Sequence, residues 1–174
     1  TEVSDQGYED LLREEKSVLI HEVGDALRGY HEVLVFPGSY PLADIRRCLA
    51  EDARVSFDVA YDAEDFSLLT SFSDRLSAVI ISTSSPLFMK VGGNDVTPMI
   101  DAVRDLGASV FLLKENRGGS RLFDLGAGGI EQVPAILSNT VNSVGVGDVY
   151  SAGTVGLQYL GLRAAAWGAC LFNI

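Results

Sequence analysis

Short apolar runs alternate, through the middle of the chain, with longer segments in which apolar residues recur every three or four positions. The first pattern predicts β-strands and the second predicts α-helices. Strands are predicted at residues 32–36, 54–58, 78–82 and 109–113. Helices are predicted at residues 8–29, 42–51, 63–72 and 94–106. Strands that alternate with helices through short links favour right-handed βαβ units and a parallel sheet covered by helices.

The helix at residues 94–106 has the clearest pattern. Its apolar residues follow a 3.6-residue period along one face: Val96, Met99, Ile100, Val103 and Leu106. Asn94 or Asp95 can cap its start, and Pro98 suits its first turn. Gly107 stands where a helix-terminating glycine is expected.

The pattern changes after this α/β part. Residues 120–124 and 130–133 flank a glycine-rich turn and predict a β-hairpin. Two helices, at residues 147–160 and 163–174, are predicted to follow. The expected fold class is therefore α/β, with a mostly parallel sheet covered by helices and a late hairpin. We expect residues 1–174 to form a single domain or the greater part of one.

Composition narrows the function classes. Of the 174 residues, 47% are hydrophobic and 21% are charged, which is typical of a globular protein. The net charge is -11, and Arg46–Arg47 is the most basic cluster, so the sequence argues against nucleic-acid binding. A phosphorylated ligand would have to be held by local backbone amides and a metal, because the overall charge repels it.

Cysteine use and hydropathy bear on location. Cys48 and Cys170 lack a partner motif, which indicates a reducing compartment. Residues 1–5 lack the basic start and apolar run of a signal peptide, and the apolar stretch 164–172 is too short to span a bilayer. We therefore predict a cytoplasmic protein without membrane association.

The strongest candidate for chemistry is the glycine loop Gly145–Val146–Gly147–Asp148, which leads into the helix at 147–160. Two glycines at a helix start let the backbone approach a ligand closely, and the first-turn N–H groups attract anions. A carboxylate at Asp148 can accept a proton from an attacking hydroxyl. From the spacing alone, a purely structural role is at least as well supported, because Gly-x-Gly before a helix is common and aspartate often stabilises a first turn.

Two other phosphate-binding motifs do not fit this loop. The dinucleotide fingerprint needs a third glycine where Tyr150 stands, and it belongs near the beginning of a βαβ unit. The P-loop needs a Gly-Lys-Ser/Thr sequence, which the chain lacks.

Residues 141–153 resemble the signature of the ribokinase-like (PfkB-type) carbohydrate kinases, a glycine loop ending in aspartate and followed by an aromatic residue and a glycine. Here these are Asp148, Tyr150 and Gly153. The surroundings match in order. Residues 114–124 resemble the family's strand end, nucleotide-contacting turn and hairpin. Residues 133–135 resemble the stretch that leads into the signature, and residues 171–173 resemble a helical element that lines the adenine pocket.

The resemblance implies a ribokinase-like fold and an ATP- and Mg²⁺-dependent transfer of a phosphoryl group to a hydroxyl of a sugar, nucleoside or related small molecule. Asp148 would be the base, and the backbone of Gly145, Val146 and Gly147 the anion hole. The residues expected near the nucleotide are Arg117, Gly118, Ser143 and Asn173. Pairing through lid strands leaves a homodimer possible.

The sequence also departs from the family pattern. Residues 82–86 replace a usual Asn-x-x-Glu motif, which is associated with magnesium, and residues 113–115 replace Thr-x-Gly. Nothing in residues 1–31 resembles the family's N-terminal Gly-Gly motif, sugar-binding residues or lid, so we expect a fragment, an interrupted chain or a shortened relative. These departures keep a second hypothesis open, a catalytically weakened or inactive relative that binds nucleotide or a partner. The missing third glycine argues against a third, a dinucleotide-dependent oxidoreductase.

Three further polar residues carry weaker signals. His21 and His31 lack carboxylates or cysteines at ligand spacing and are expected to be ordinary surface histidines. Asp58 ends a predicted strand, where α/β proteins place ligands, but a cap or turn role is equally compatible with the pattern.

Overall fold

A six-stranded sheet organises the part of the chain that the structure describes. The structure is a computed structural model, and it describes residues 20, 22–37, 41–59, 63–135 and 146–159. The strands follow one another across the sheet in chain order: β1 (Glu32–Val35), β2 (Arg54–Val59), β3 (Leu76–Ser82), β4 (Val110–Lys114), β5 (Ser120–Asp124) and β6 (Ile130–Val133).

Helices accompany the strands within the described residues. They are α1 (Leu42–Cys48), α2 (Ser67–Thr70), α3 (Pro86–Val91), α4 (Thr97–Asp105) and α5 (Val146–Tyr159). A short 3₁₀-helix, Asn116–Gly118, follows β4, and residues 22–27 are also helical. None of the helices in these described ranges is long and apolar enough to cross a membrane.

Strands β1 to β4 are parallel, and β5 and β6 continue the sheet as an antiparallel hairpin. The predicted α/β class, with a mostly parallel sheet and a late hairpin, is confirmed. Because the parallel strands add in chain order, right-handed crossovers place their connecting helices on the same face. Buried side chains of α1, α2, α3 and α4 indeed share one core with this face: Ile45, Leu69, Leu87 and Met99.

Aromatic side chains fill that main core. Phe57 and Phe111 are fully buried on neighbouring parts of the same sheet face. Phe57 meets Phe72 edge-on with ring centroids 5.1 Å apart, and Phe111 stacks on Phe123 at 5.4 Å. Buried aromatic pairs of this kind add specific geometry to a large apolar contact area.

The opposite face of the sheet is more polar and carries α5. Ile80 and Leu112 pack there with Val155 of α5. Ser56 is fully buried on β2, and its hydroxyl donates to Glu32 Oε1 at 2.9 Å. Alternation along each strand therefore separates an apolar face from one that keeps polar side chains beside α5.

Several predicted boundaries differ from the structure. The predicted helix at 63–72 shortens to the single turn of α2, and β3 begins two residues earlier than predicted. Helix α3 was not predicted, because six residues give too few repeats of a helical period. A local signal existed: Ser85 accepts a hydrogen bond from the Phe88 N–H at 3.1 Å, and Pro86 opens the helix.

Helix α4 confirms the predicted stop signal, but it begins at Thr97, three residues later than predicted, and its N-cap residue, Val96, makes no side-chain cap hydrogen bond. The Asp95 carboxylate accepts the Thr97 N–H at 2.9 Å, and Pro98 lies in the first turn. Gly107 ends the helix with φ of 91°, a conformation that glycine adopts without strain. Helix α5 at Val146–Tyr159 likewise confirms the helix predicted at 147–160, whereas residues 163–174 lie outside the described part of the chain.

Gly119 joins the 3₁₀-helix to β5 and allows close backbone contact. Its φ is 92°, and a Cβ atom on it would lie only 2.0 Å from the carbonyl oxygen of Val133. We expect Gly119→Ala to lower the free energy of unfolding by about 3 kcal/mol or more. The new methyl group would overlap the Val133 carbonyl, and alanine is strained at a positive φ. Denaturant unfolding measures the loss.

Gly128 is the matched control for Gly119. Its φ is 74°, but among the described residues no atom outside Gly128 and its two chain neighbours lies within 4 Å of the position where a Cβ would stand. Gly128→Ala should therefore lose only about 1–2 kcal/mol, from the backbone conformation alone. Equal losses in the two variants would contradict the close contact at Gly119.

Glu32 predicts a dependence of stability on pH. Burial raises the pKa of its carboxyl above the ordinary value, and hydrogen bonds from Ser56 and the charge of Arg54 offset part of that rise. The folded state then binds the proton more tightly than the unfolded state, so stability falls as pH rises through the ordinary and then the raised pKa. Glu32→Gln should be more stable than the parent at about pH 7, with the advantage shrinking towards about pH 4.

Denaturant unfolding at both pH values tests this expectation, and Ser56→Ala is the companion variant. Removing the Ser56 hydroxyl takes away a contact that lowers the pKa of Glu32, so the loss of stability with pH should become steeper. A Glu32→Gln advantage that is the same at both pH values would contradict a raised pKa.

Candidate active site at the start of helix α5

Helix α5 places the predicted base at its first turn. The helix begins at Val146, and Gly147 and Asp148 are both exposed. A carboxylate at this position faces the positive end of the helix dipole. Asp148 is thus open to a ligand that approaches the first turn, as a base acting on a bound hydroxyl would have to be.

A largely buried ion pair lies under this turn. Asp58, near the end of β2, is 2% exposed, and Lys114 is the last residue of β4. The Lys114 ammonium donates to Asp58 Oδ2 at 2.6 Å. Since the carboxyl ends of parallel strands share one edge, β2 and β4 bring these two charges together over β3.

Ser151 connects the ion pair to α5. Its buried hydroxyl accepts from Lys114 Nζ at 3.3 Å. The same hydroxyl lies 2.6 Å from Asp58 Oδ2 and 2.9 Å from the Gly147 carbonyl oxygen, and it can donate its one proton to either. We call these three residues the Asp58–Lys114–Ser151 cluster. Their hydrogen bonds hold the first turn of α5 against the sheet.

Gly147 brings the backbone of α5 close to the lysine. A Cβ atom on Gly147 would lie 3.7 Å from Lys114 Nζ. The ammonium is therefore next to the glycine whose amide was predicted to belong to an anion hole. In the sequence Lys114 belonged to the segment that resembles the nucleotide-contacting turn and to the departure from Thr-x-Gly, and Ser151 carried no signal of its own. A strand end that bears a charge was the available clue for Asp58 and Lys114 alike.

A second contact ties α5 to the hairpin. The hydroxyl of Tyr150 forms a hydrogen bond with the hydroxyl of Ser120, a buried residue at the start of β5. Tyr150 also packs against the small core around Leu112. The aromatic residue of the predicted signature therefore has a clear packing role, two positions after Asp148.

The predicted nucleotide turn follows directly from Lys114. Arg117 and Gly118 lie in the exposed 3₁₀-helix after β4. The Gly118 N–H donates to the Glu115 carbonyl oxygen at 2.9 Å, and Arg121 pairs with the Glu115 carboxylate at 2.7 Å. The structure thus brings this turn to the same sheet edge as the cluster.

Some predicted residues lie outside the described part of the chain, namely Ser143, Gly145 and Asn173. Of Val146, the backbone alone is described. His21 is also outside this part, whereas His31 pairs on the surface with Asp52 at 2.9 Å, as expected of an ordinary surface histidine.

The serine-rich end of β3 lies beside the cluster. Ser82 pairs with Lys114 in the sheet, the Thr83 N–H donates to the Lys114 carbonyl oxygen at 2.9 Å, and the Ser82 and Ser84 hydroxyls are 2.8 Å apart. Within the described ranges, no three His, Cys, Asp or Glu side chains cluster as metal ligands. Lys114 already compensates the charge of the Asp58 carboxylate, so the described residues do not fit a magnesium ion held by the protein itself.

No family model matches the sequence, and no curated protein matches it either. Solved structures do match the fold. A ribokinase of Arabidopsis thaliana, complexed with ribose and ATP, superposes with a TM-score of 0.65 at 18% identity, over 84% of this chain and 51% of that one. The fold is ribokinase-like.

Two further ribokinase-like structures agree. A ribokinase of Thermotoga maritima gives a TM-score of 0.64 at 16% identity, over 88% of this chain and 53% of that one. A nucleoside kinase of Burkholderia thailandensis, in complex with inosine, gives a TM-score of 0.62 at 16% identity, over 85% of this chain and 48% of that one. The chain therefore spans about half the length of these ribokinase-like structures, and the predicted fold class is confirmed.

The Asp58–Lys114 pair should couple strongly in a double-mutant cycle. Asp58→Asn and Lys114→Met should each cost about 2–4 kcal/mol of unfolding free energy, because each leaves a buried polar group without its partner. The double variant should cost clearly less than the sum, with a coupling above about 1.5 kcal/mol. Denaturant unfolding of the four proteins measures it.

Asp101 and Arg104 provide the control cycle. Their side chains are also 2.7 Å apart, but both are at least half exposed. Their coupling should stay below about 0.5 kcal/mol, since water screens exposed charges. Similar couplings for the two pairs would show that burial of the Asp58–Lys114 pair has no energetic effect.

Proposed function

We propose that the complete protein is an ATP-dependent phosphotransferase that acts on a hydroxyl of a sugar, nucleoside or related small molecule. The observation that carries this proposal is the exposed first turn of α5, with Gly147 and Asp148 at the carboxyl edge of a ribokinase-like sheet. Residues 1–174 would form part of a ribokinase-like domain. The residues that bind the acceptor would lie outside the segment that matches the ribokinase-like structures.

In the proposed reaction, the side chain and the backbone amides at the start of α5 have separate roles. The acceptor hydroxyl oxygen forms a bond to the γ-phosphorus of ATP while the bond from that phosphorus to the β–γ bridging oxygen breaks. The hydroxyl proton passes to the Asp148 carboxylate, and ADP leaves with the bridging oxygen. The amides of Gly145, Val146 and Gly147 would stabilise the charge that develops on the transferred group.

Magnesium would enter this reaction as Mg·ATP, bound to the substrate's own phosphates. Magnesium in such sites usually keeps several waters and is bound through the phosphates of the substrate and one or two carboxylates. The exposed turn at Arg117 and Gly118 would lie beside the nucleotide. Local amides then hold the phosphates despite a net charge of -11.

Asp148→Asn tests the role of the base in the complete protein. We expect kcat on the best hydroxyl acceptor to fall by about 10²- to 10⁴-fold, because the amide cannot accept the proton. The affinity for Mg·ATP should change little. Steady-state kinetics over a panel of sugars and nucleosides, together with calorimetry, provides both quantities.

Asp105→Asn is the matched control, because Asp105 is an exposed aspartate of α4. Its kcat should equal that of the parent. Unchanged phosphoryl transfer by the Asp148→Asn variant would contradict the assignment of the base.

A second candidate function is a non-catalytic relative that binds nucleotide or a partner. It is favoured by the Ser82–Pro86 segment, where hydroxyls stand in place of the usual Asn-x-x-Glu motif. Tight Mg·ATP binding without turnover of any acceptor in the panel would support this alternative over the kinase.

A further inference from the structure

We propose that Lys114 is a phosphate-binding residue, held in place by Asp58 and Ser151, and that its ammonium meets the anion beside Gly147 at the start of α5. This inference deepens the proposed function and rests on it for the identity of the anion, a phosphate group of ATP. Lys114 stands at the middle position of the Thr-x-Gly pattern, whose threonine and glycine are replaced here by Leu113 and Glu115.

The donor count supports a third partner for the lysine. An ammonium group carries three N–H donors. Across the ranges that the structure describes, Asp58 Oδ2 at 2.6 Å and Ser151 Oγ at 3.3 Å are its hydrogen-bond partners. The Lys114 side chain is 19% exposed, whereas that of Asp58 is 4% exposed. One donor is left to meet an acceptor from outside.

The position of that donor favours an anion at the start of α5. The ammonium lies 3.7 Å from where a Cβ of Gly147 would stand, which is contact distance, so the lysine head group borders the first turn of α5. Both the exposed amides of the first helical turn and the ammonium then attract negative charge at one place.

The charged residues next to Lys114 do not prevent its ammonium from binding an anion. The carboxylate of Glu115, the next residue, is paired with Arg121 at 2.7 Å. Asp58 is 2% exposed and therefore anchors the ammonium from below without competing at the surface. A lysine that is fixed before binding loses less entropy when it meets a phosphate oxygen than a freely rotating one.

The lysine also offers a physical reason for the altered serine-rich segment. Ser82 pairs with Lys114 across β3 and β4, so the ammonium emerges next to the place where the segment lacks a carboxylate. A carboxylate there would attract the ammonium away from an incoming anion. Hydroxyls do not.

Anion binding by a set of cluster variants of the complete protein tests the proposal. The probes are Mg·ATP and inorganic pyrophosphate, each measured by calorimetry at low salt. Lys114→Met should weaken both by about 10- to 100-fold, the loss expected for one charge-assisted hydrogen bond. Lys114→Arg keeps a cation and should recover part of the affinity.

Asp58→Asn separates binding from support of the fold. This variant keeps the ammonium and removes a negative charge, so both anions should bind at least as tightly as in the parent. A merely structural role predicts instead that Asp58→Asn and Lys114→Met lose affinity together, and that result would overturn the proposal.

The double variant Asp58→Asn with Lys114→Met covers the case in which Lys114→Met alone folds poorly. It removes both charges of the pair, and its pyrophosphate affinity should match that of Lys114→Met. Parent-like affinity in the double variant would overturn the proposal, whatever the single variant does.

The two proposals fail differently. Lys114-dependent pyrophosphate binding without phosphoryl transfer to any acceptor would uphold the phosphate site and contradict the kinase. Active phosphoryl transfer with unchanged anion affinity in Lys114→Met would uphold the kinase and contradict the phosphate site.

Discussion

The buried charge of Asp58 is the constraint on which the candidate site depends. A carboxylate that is 2% exposed is costly unless it is paired and hydrogen-bonded, and Lys114 and Ser151 meet that requirement together. The partners come from β2, β4 and α5, and Asp58 and Ser151 are 93 residues apart. Satisfying this one carboxylate therefore fixes the start of α5 over the carboxyl edge of the sheet, and with it the position of Asp148.

The arrangement of the sheet explains why the cluster can form. Strands β1 to β4 add in chain order, so the crossover helices occupy one face and leave the other to α5. The open face carries apolar residues such as Leu112 in its middle and charged residues at its carboxyl edge. Helix α5 packs its apolar side on the former and its polar first turn on the latter.

The comparison with solved kinases concerns the backbone. Their sheet and its helices recur over more than four fifths of this chain, at 16–18% identity. In this chain the edge carries a lysine at the end of β4 and hydroxyls at the end of β3. A shared backbone does not by itself determine the chemistry of a site, which depends on the side chains that it carries.

The sequence by itself determined the α/β class, each of the six strands, the hairpin and the start of α5, because periodicity, caps and glycines act over a few residues. It also singled out Asp148 through the glycine loop. It did not determine helix α3, which is too short to show a period, or the length of α2. Only the tertiary structure decided that Asp58, Lys114 and Ser151 meet, since a hydrogen bond between residues 37 to 93 positions apart depends on strand order and helix packing, which no local pattern records.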